Sequence, residues 1–123
     1  MKLAGGSVVW VDLDPTRGHE QRGVRPCVVV SSADVAAQQR YPLLCVVPIT
    51  ATPGEGALYP RLAPGRSGLR KPSFALLDQL RSVDKARVRQ VFGAITPEEL
   101  HTIDNGLCLY LGLDETSLLE PAP

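Results

Sequence analysis

The chain has 123 residues, of which 13 are Lys or Arg and 13 are Asp or Glu, so its formal net charge is zero. This length supports one domain around one hydrophobic core and leaves no room for a second. The apolar runs are too short to span a bilayer and residues 1–6 lack the apolar core of a signal peptide, so we expect a cytoplasmic protein without a membrane partner.

The charges are distributed unevenly along the chain. Residues 1–97 hold 13 basic and seven acidic side chains, whereas residues 98–123 hold six acidic side chains and no basic one. We therefore expect a single basic domain over residues 1–113 and an acidic tail over residues 114–123. A basic face attracts a polyanion whatever the total charge, although an ordinary solvated surface is an equal alternative on charge alone.

The cysteines and histidines predict neither a disulfide nor a metal site. Cys27, Cys45 and Cys108 stand singly in apolar stretches, without Cys-x-x-Cys spacing, and His19 and His101 are the only histidines. We expect buried free thiols, no metal ligands and no cofactor.

Hydrophobic patterning predicts five strands, and a sixth that is short. They cover residues 7–13, 26–31, 43–50, 57–62 (the short one), 73–80 and 88–94. Pro48, near the end of the third strand, indicates a sheet edge or a bulge at that point.

The segments between these strands are predicted to be less regular. Residues 33–40 are expected to form a short helix or an ordered loop, and residues 83–86 a turn or a short helical segment. Residues 51–72 are rich in Gly and Pro, so we expect most of this stretch to be a mobile loop.

A helix near the C-terminus has the clearest local signals. Thr96, Pro97 and Glu99 have the spacing of a capping box with Pro at the first helical position. Apolar residues then recur at helical spacing up to a stop at Gly112, and we expect them to face the core: Leu100, Ile103, Leu107 and Leu111. Short strands with one terminal helix predict a mainly β fold, a small twisted antiparallel sheet or barrel.

The densest polar cluster is residues 17–26, RGHEQRGVRP, in the loop that enters the second strand. Arg25, held on that strand, could bind a phosphate with its guanidinium fork, and His19 could transfer a proton near neutral pH. Thr50 ends the third strand with a hydroxyl that could hydrogen-bond a phosphate oxygen. Asp78 is a carboxylate in an apolar strand, suited to proton transfer if it is partly buried. A solvated turn and a carboxylate on the solvent face are the alternatives.

These residues resemble the MazF/PemK family of toxins. The first shared block is VWVDLDPTRGHEQ at residues 9–21, followed by GVRP at 23–26. VPIT at 47–50, DQLRSVD at 78–84 and the amphipathic helix follow in the expected order. The similarity spans residues 5–113 and implies a small SH3-like barrel of the CcdB/PemK type with a C-terminal α-helix, usually in a homodimer.

The resemblance implies an endoribonuclease toxin that cleaves single-stranded RNA, typically messenger RNA, at short sequences, and so inhibits translation and growth. The products expected of such a toxin are a 2′,3′-cyclic phosphate and a 5′-hydroxyl, and no metal is required. The expected protein partner is a cognate MazE-like antitoxin, whose acidic segment would block the RNA groove.

The resemblance also implies roles for individual residues. Arg25 matches an arginine that acts as an acid or as a transition-state clamp, and Thr50 matches the threonine paired with it. Glu20 and His19 match positions implicated in catalysis or in substrate orientation. Asp78 matches a carboxylate proposed as the base in PemK-like members.

This chain departs from PemK-like members at Leu76, where they carry an arginine. Asp78 is therefore a weaker candidate for a catalytic role than Arg25 and Thr50. Polar side chains of the shared blocks and of the 51–72 loop are expected to contact RNA, with solvated charge as the alternative for the loop. They are Arg17, Gln21, Thr52, Arg61, Arg66, Arg70, Lys71, Gln79 and Arg81.

Two other functions are compatible with this kind of fold. A CcdB-like toxin would poison DNA gyrase and would have no nuclease site, so it would not need Arg25 and Thr50. A catalytically inactive RNA-binding module would keep the fold and bind RNA without turnover, but Arg25 and Thr50 are both present, so nothing in the sequence indicates that activity was lost.

Overall fold

The computed structural model describes residues 3–113, and the predicted acidic tail over residues 114–123 lies outside the described residues. The described part forms seven strands and two α-helices. They are β1 (Ser7–Asp12), β2 (Val24–Val29), α1 (Ala33–Ala37), β3 (Leu43–Thr50), β4 (Arg61–Leu62), β5 (Ser73–Ala75), β6 (Arg81–Asp84), β7 (Val88–Ala94) and α2 (Pro97–Leu111). The predicted mainly β fold with a C-terminal helix is therefore confirmed.

The strands form one antiparallel sheet in the order β4–β5–β3–β2–β1–β7, and β6 also pairs with β3. Val8, Val28 and Val47 lie side by side on the three central strands and belong to one core cluster. Val9 and Cys27, which alternate with them, belong to a second cluster. Because successive side chains point to opposite faces, both faces of the central strands are buried.

The two ends of the sheet meet through the loop that follows β4. Ala94 N donates to the Arg66 carbonyl at 3.3 Å, which joins this loop to β7. Gly93 makes the approach possible, because a Cβ at that position would lie 2.2 Å from the Arg66 carbonyl oxygen. Since β4 and β7 are at opposite ends of the strand order, this contact bends the sheet into the predicted barrel-like form.

The sequence predicted a sheet edge or a bulge at Pro48, and of these two the sheet edge is excluded. β3 is an interior strand, and Pro48 lies opposite Cys27 of β2. On its other side, β3 pairs with β6 as far as Val46 and with β5 from Ile49. Pro48 therefore lies where β3 changes partner, and its missing N–H costs no ladder hydrogen bond there.

The predicted strand over residues 73–80 is also wrong in its second half. β5 ends at Ala75, and Leu77–Gln79 is a 3-10 helix in which Leu77 is buried and Asp78 is exposed. A Cβ at Gly106 of α2 would lie 2.4 Å from Leu77 Cδ1, so the helix packs directly on this turn. The apolar residues after β5 are used in packing against α2 and not in strand pairing.

Other segments differ from the prediction in smaller ways. Residues 83–86 divide between β6 and a second 3-10 helix, Lys85–Arg87. The predicted strand over 57–62 is reduced to β4. The 51–72 stretch is partly packed into the domain: Leu62 and Ser67 are buried.

The α2 helix begins at the predicted capping box. Thr96 Oγ1 accepts from Glu99 N at 3.1 Å, and Glu99 Oε1 accepts from Thr96 N at 2.8 Å. Ile103 is fully buried, but Leu111 is 50% exposed, so the prediction that the whole apolar stripe faces the core is wrong at its C-terminal end. No helix in the described residues is both long and apolar enough to cross a membrane.

The prediction that all three thiols are buried holds only for Cys27. Burial raises the pKa of Cys27 to about 12, so this thiol stays protonated at neutral pH. Cys45 is half-buried, and Cys108 is exposed on α2 beyond the part of the helix that covers the sheet.

Candidate functional site

Arg25 and Thr50 lie on the adjacent strands β2 and β3, at the same end of their ladder. The ladder ends at Cys27 and Pro48, and Arg25 and Thr50 each lie two residues beyond this last pair. Both residues line an open cavity of about 670 Å³. The two strongest candidates for catalytic residues in the sequence therefore line the same cavity.

We call this space the cationic cavity, because Arg25, Arg70 and Lys71 line it and none of its described lining residues is Asp or Glu. The rings of Trp10 and Phe92 form its apolar wall, in an edge-to-face pair with centroids 5.2 Å apart. Cationic side chains can bind the phosphates of a single nucleic-acid strand, and aromatic rings beside them can stack on its bases.

The guanidinium of Arg25 is only partly used within the protein. Its Nε donates to the Arg22 carbonyl at 2.8 Å, which fixes the direction of the side chain. Its terminal nitrogens have no hydrogen-bond or ion-pair partner among residues 3–113; the one ion pair in that range joins Arg89 and Asp12 at 3.3 Å. A pre-positioned fork with free donors can bind a phosphate in bidentate fashion.

The hydroxyl of Thr50 is held in a similar way. Its oxygen accepts a hydrogen bond from Thr52 N at 3.1 Å. No oxygen in residues 3–113 accepts the Thr50 hydroxyl hydrogen, so this hydrogen can be donated to a bound phosphate oxygen.

Thr50 also lines a second cavity, of about 450 Å³. We call it the acidic cavity, because Asp78 lines it and none of its described lining residues is Lys or Arg. His19 lies on its wall as well, so Thr50 stands at the boundary between the cationic cavity and an acidic cavity that holds two groups able to exchange protons, His19 and Asp78.

Asp78 has an aromatic partner that the sequence did not reveal. The Tyr59 hydroxyl donates to Asp78 Oδ2 at 2.6 Å, and the Tyr110 hydroxyl donates to the Asp78 backbone carbonyl at 3.3 Å. The hydrogen bond to Asp78 raises the pKa of Tyr59, because it is made by the neutral phenol. The one available signal was a tyrosine in a polar loop of a chain with only 5% aromatic residues.

Gln79 uses its side chain within the protein. Its Oε1 accepts from Gln21 N at 2.8 Å, and its Nε2 donates to the His19 carbonyl at 3.4 Å. In the structure the Gln79 amide ties the loop that carries His19 to the 3-10 helix, and the contact of Gln79 with RNA stays a prediction.

Several other predicted residues are placed away from the meeting point of the two cavities. Glu20 closes a turn by accepting from Arg17 N at 2.9 Å, and it lines a neighbouring cavity. Arg81 also lines that neighbouring cavity, and it donates to the Leu13 carbonyl at 2.9 Å. Arg61 and Arg66 are exposed and line neither the cationic nor the acidic cavity.

Metal ligands are not grouped in the described part of the chain: residues 3–113 contain no set of three or more His, Cys, Asp or Glu side chains that could hold an ion.

The structure is similar to those of several solved toxins. MazF from Deinococcus radiodurans is 26% identical, with a TM-score of 0.78, over 91% of this chain and 98% of that chain. A MazE–MazF complex from the same organism gives 26% identity and a TM-score of 0.72, over 93% and 99%. An endoribonuclease in complex with its cognate antitoxin, from Mycobacterial species, gives 21% identity and a TM-score of 0.73, over 98% and 99%.

A family model also matches the sequence directly. It describes the PemK-like, MazF-like toxins of type II toxin–antitoxin systems, and it matches residues 4–111. That range includes the whole sheet, α2, and both cavities. The chain therefore belongs to the family of PemK-like, MazF-like toxins of type II toxin–antitoxin systems.

Proposed function

We propose that the protein is a metal-independent endoribonuclease that cleaves single-stranded RNA at short sequences. The observation that carries the proposal is that the free fork of Arg25 and the available hydroxyl of Thr50 line one cationic cavity, which meets the acidic cavity at Thr50. Membership of the toxin family and the likeness to solved endoribonucleases support it.

RNA supplies its own nucleophile. The ribose 2′-oxygen attacks phosphorus and gives up its proton to a base, while the bond from phosphorus to the 5′-oxygen breaks and that oxygen takes up a proton. The products are a 2′,3′-cyclic phosphate and a 5′-hydroxyl. Arg25 would bind the non-bridging oxygens and stabilise their developing charge, and Thr50 would donate to one of them.

We assign both proton transfers to His19, which would take the proton from the 2′-oxygen and then give it to the 5′-oxygen. An imidazole can both accept and donate a proton near neutral pH. His19 lies on the same cavity wall as Thr50, whereas Glu20 lines the neighbouring cavity. Asp78 ranks second as the base, because its Oδ2 already accepts the Tyr59 hydroxyl.

The test of this proposal is cleavage of long single-stranded RNA by the purified, antitoxin-free protein in the presence of EDTA, with the ends mapped. We expect cuts at one short sequence, with 5′-hydroxyl and 2′,3′-cyclic phosphate ends. His19→Gln should slow cleavage more than Asp78→Asn does. A folded protein that cuts no RNA of diverse sequence would overturn the proposal.

A gyrase-poisoning function of the CcdB type is not favoured, because the matching family model is that of PemK-like, MazF-like toxins. It would be identified by gyrase-dependent DNA damage without RNA cleavage.

We further propose that the protein acts as a homodimer and is inhibited by a cognate MazE-like antitoxin. Solved relatives include MazE–MazF complexes. An acidic antitoxin segment would be attracted to Arg25, Arg70 and Lys71 in the cationic cavity and would compete there with RNA.

The two pairs of loop cations are expected to differ in RNA binding. Arg70 and Lys71 line the cationic cavity, whereas Arg61 and Arg66 do not. The double variant R70Q/K71Q should reduce the slope of log Kd against log salt by about 1.4, since each phosphate contact to a single strand contributes about 0.7. Titration of an uncleavable RNA at several salt concentrations measures this slope, with R61Q/R66Q as the matched control. Equal slopes for both double variants would contradict the placement of RNA in this cavity.

Gln79→Ala is expected to lower kcat about tenfold or more while the protein remains folded. The substitution removes both hydrogen bonds that the Gln79 amide makes to the loop carrying His19, so this loop should hold His19 less firmly on the wall of the acidic cavity. Limited proteolysis should then cut within residues 17–23 sooner than in the parent protein. Unchanged protection of the loop would show that the Gln79 amide does not hold it.

A further inference from the structure

The two cavities that meet at Thr50 carry opposite charges. Arg25, Arg70 and Lys71 line the cationic cavity, whereas the described lining of the acidic cavity has the carboxylate of Asp78, the imidazole of His19 and no Lys or Arg. An RNA strand likewise has two chemically different parts, the anionic phosphates and the neutral bases, which carry N–H donors. Because a phosphate is repelled by a carboxylate, the RNA backbone should follow the cationic cavity, which leaves the acidic cavity to a base beside the phosphate at Thr50.

The acidic cavity holds its carboxylate in a fixed orientation. Asp78 Oδ2 accepts from the Tyr59 hydroxyl at 2.6 Å, whereas Asp78 Oδ1 accepts no hydrogen bond from residues 3–113. Tyr59 is itself held by its loop: its N donates to the Gly56 carbonyl at 3.1 Å, and a Cβ at Gly54 would lie 2.9 Å from Tyr59 Cβ. The free oxygen of Asp78 is thus presented to a ligand by a pre-organised pair.

We infer that Tyr59 and Asp78 form a base-recognition pair, which selects a base bearing an amino group beside the scissile phosphate and disfavours uracil. Cytosine, adenine and guanine can donate an exocyclic N–H to Asp78 Oδ1. Uracil has no exocyclic amino group: the one donor on its edge, N3–H, lies between the carbonyl oxygens O2 and O4, which the carboxylate repels. Pro53 and Leu76 on the cavity wall provide apolar surface against the faces of the base. The inference rests on the proposed ribonuclease function and names the specificity of that same site.

The experiment is cleavage of a randomised single-stranded RNA library by the full-length protein, with the nucleotides on both sides of each cut counted. We expect uracil to be depleted at least tenfold at one of the two positions that flank the cut. Paired oligonucleotides that differ only in cytosine or uracil at that position then give the ratio of their kcat/KM values.

Asp78→Asn should reverse the preference. The Tyr59 hydroxyl still requires an acceptor, so the amide oxygen turns towards it and the amide N–H₂ faces the base, where it can donate to uracil O4. We expect the cytosine-to-uracil ratio to fall at least tenfold. In the double variant D78N/Y59F the amide is free to turn, so neither base should be preferred by more than a few fold. Glu55→Gln, which removes an exposed carboxylate outside the cavity, is the charge control and should keep the original ratio.

If D78N cleaves too slowly to be mapped, binding of 2′-deoxy versions of the same oligonucleotides gives the ratio from their Kd values. Tyrosinate absorbance tests the pair independently, because D78N should lower the pKa of Tyr59 towards its ordinary value. Frequent uracil at both flanking positions, or a D78N protein that keeps the parent ratio, would overturn the inference while leaving the ribonuclease function intact. Absence of cleavage by the parent protein would overturn both.

Discussion

Replacement of Arg25 by alanine is expected to lower kcat for RNA cleavage by at least two to three orders of magnitude, without loss of the fold. Removal of one pre-positioned donor to a developing negative charge typically has an effect of this size. Arg25 is exposed at the start of β2, and its side-chain hydrogen bond is made to the carbonyl of Arg22 in the adjacent loop. The core clusters do not include Arg25, so stability should change by less than about 0.5 kcal/mol.

Two further variants serve as controls for Arg25→Ala. Arg25→Lys keeps the positive charge but loses the planar fork, so we expect an intermediate rate. Arg40→Ala removes an exposed arginine whose side-chain hydrogen bond and cation–π contact are both made to the neighbouring Tyr41, and it should cleave like the parent protein. Single-turnover rates, with thermal unfolding as the check on folding, measure these effects. An Arg25→Ala protein that cleaved at the parent rate would show that the phosphate is bound elsewhere.

The parts of the fold that the sequence predicted correctly are those with local signals. The capping box at the start of α2 needs only residues within three positions of one another, and it was found at the predicted place. The second half of the predicted strand over 73–80 failed because its conformation depends on a distant contact. Leu77 is buried beneath Gly106, 29 positions along the chain, and this packing turns an apolar run into a 3-10 helix.

The candidate site likewise contains residues that local sequence signals identified and residues whose roles depend on distant contacts. Arg25 and Thr50 could be identified from a motif and from their positions at strand ends, and the β2–β3 register then relates them. Tyr59 could not be identified, because its importance comes from a hydrogen bond across 19 positions. The amide of Gln79 acts across 58 positions, so the sequence indicated a polar residue near the site but not what it binds. Residue types can thus be read from the sequence more readily than the partners that determine their roles.

Gly93→Ala is expected to destabilise the protein by about 2–3 kcal/mol, which is a large fraction of the stability of a small domain. The added Cβ would lie 2.2 Å from the Arg66 carbonyl oxygen, and relief of that clash requires the loop after β4 to move off β7. The clash is with a backbone atom, which cannot move aside as easily as the end of a flexible side chain. Urea unfolding should show a lower midpoint with an unchanged m value. Gln90→Ala, at an exposed position on the same strand, is the control and should stay within about 0.5 kcal/mol of the parent.

Gly93→Ala should also affect RNA binding, because the loop after β4 leads directly to the residues that line the cationic cavity. Gly68 of that loop packs against Phe92, and Arg70 and Lys71 follow it. We therefore expect Gly93→Ala to weaken RNA binding and to flatten its salt dependence in the fraction that remains folded, as R70Q/K71Q does. If the variant is destabilised but binds RNA with the parent salt slope, then the cations of the cavity are positioned by β5 and not by the closure of the sheet. If it is neither destabilised nor altered in binding, the loop does not rest on β7 at all.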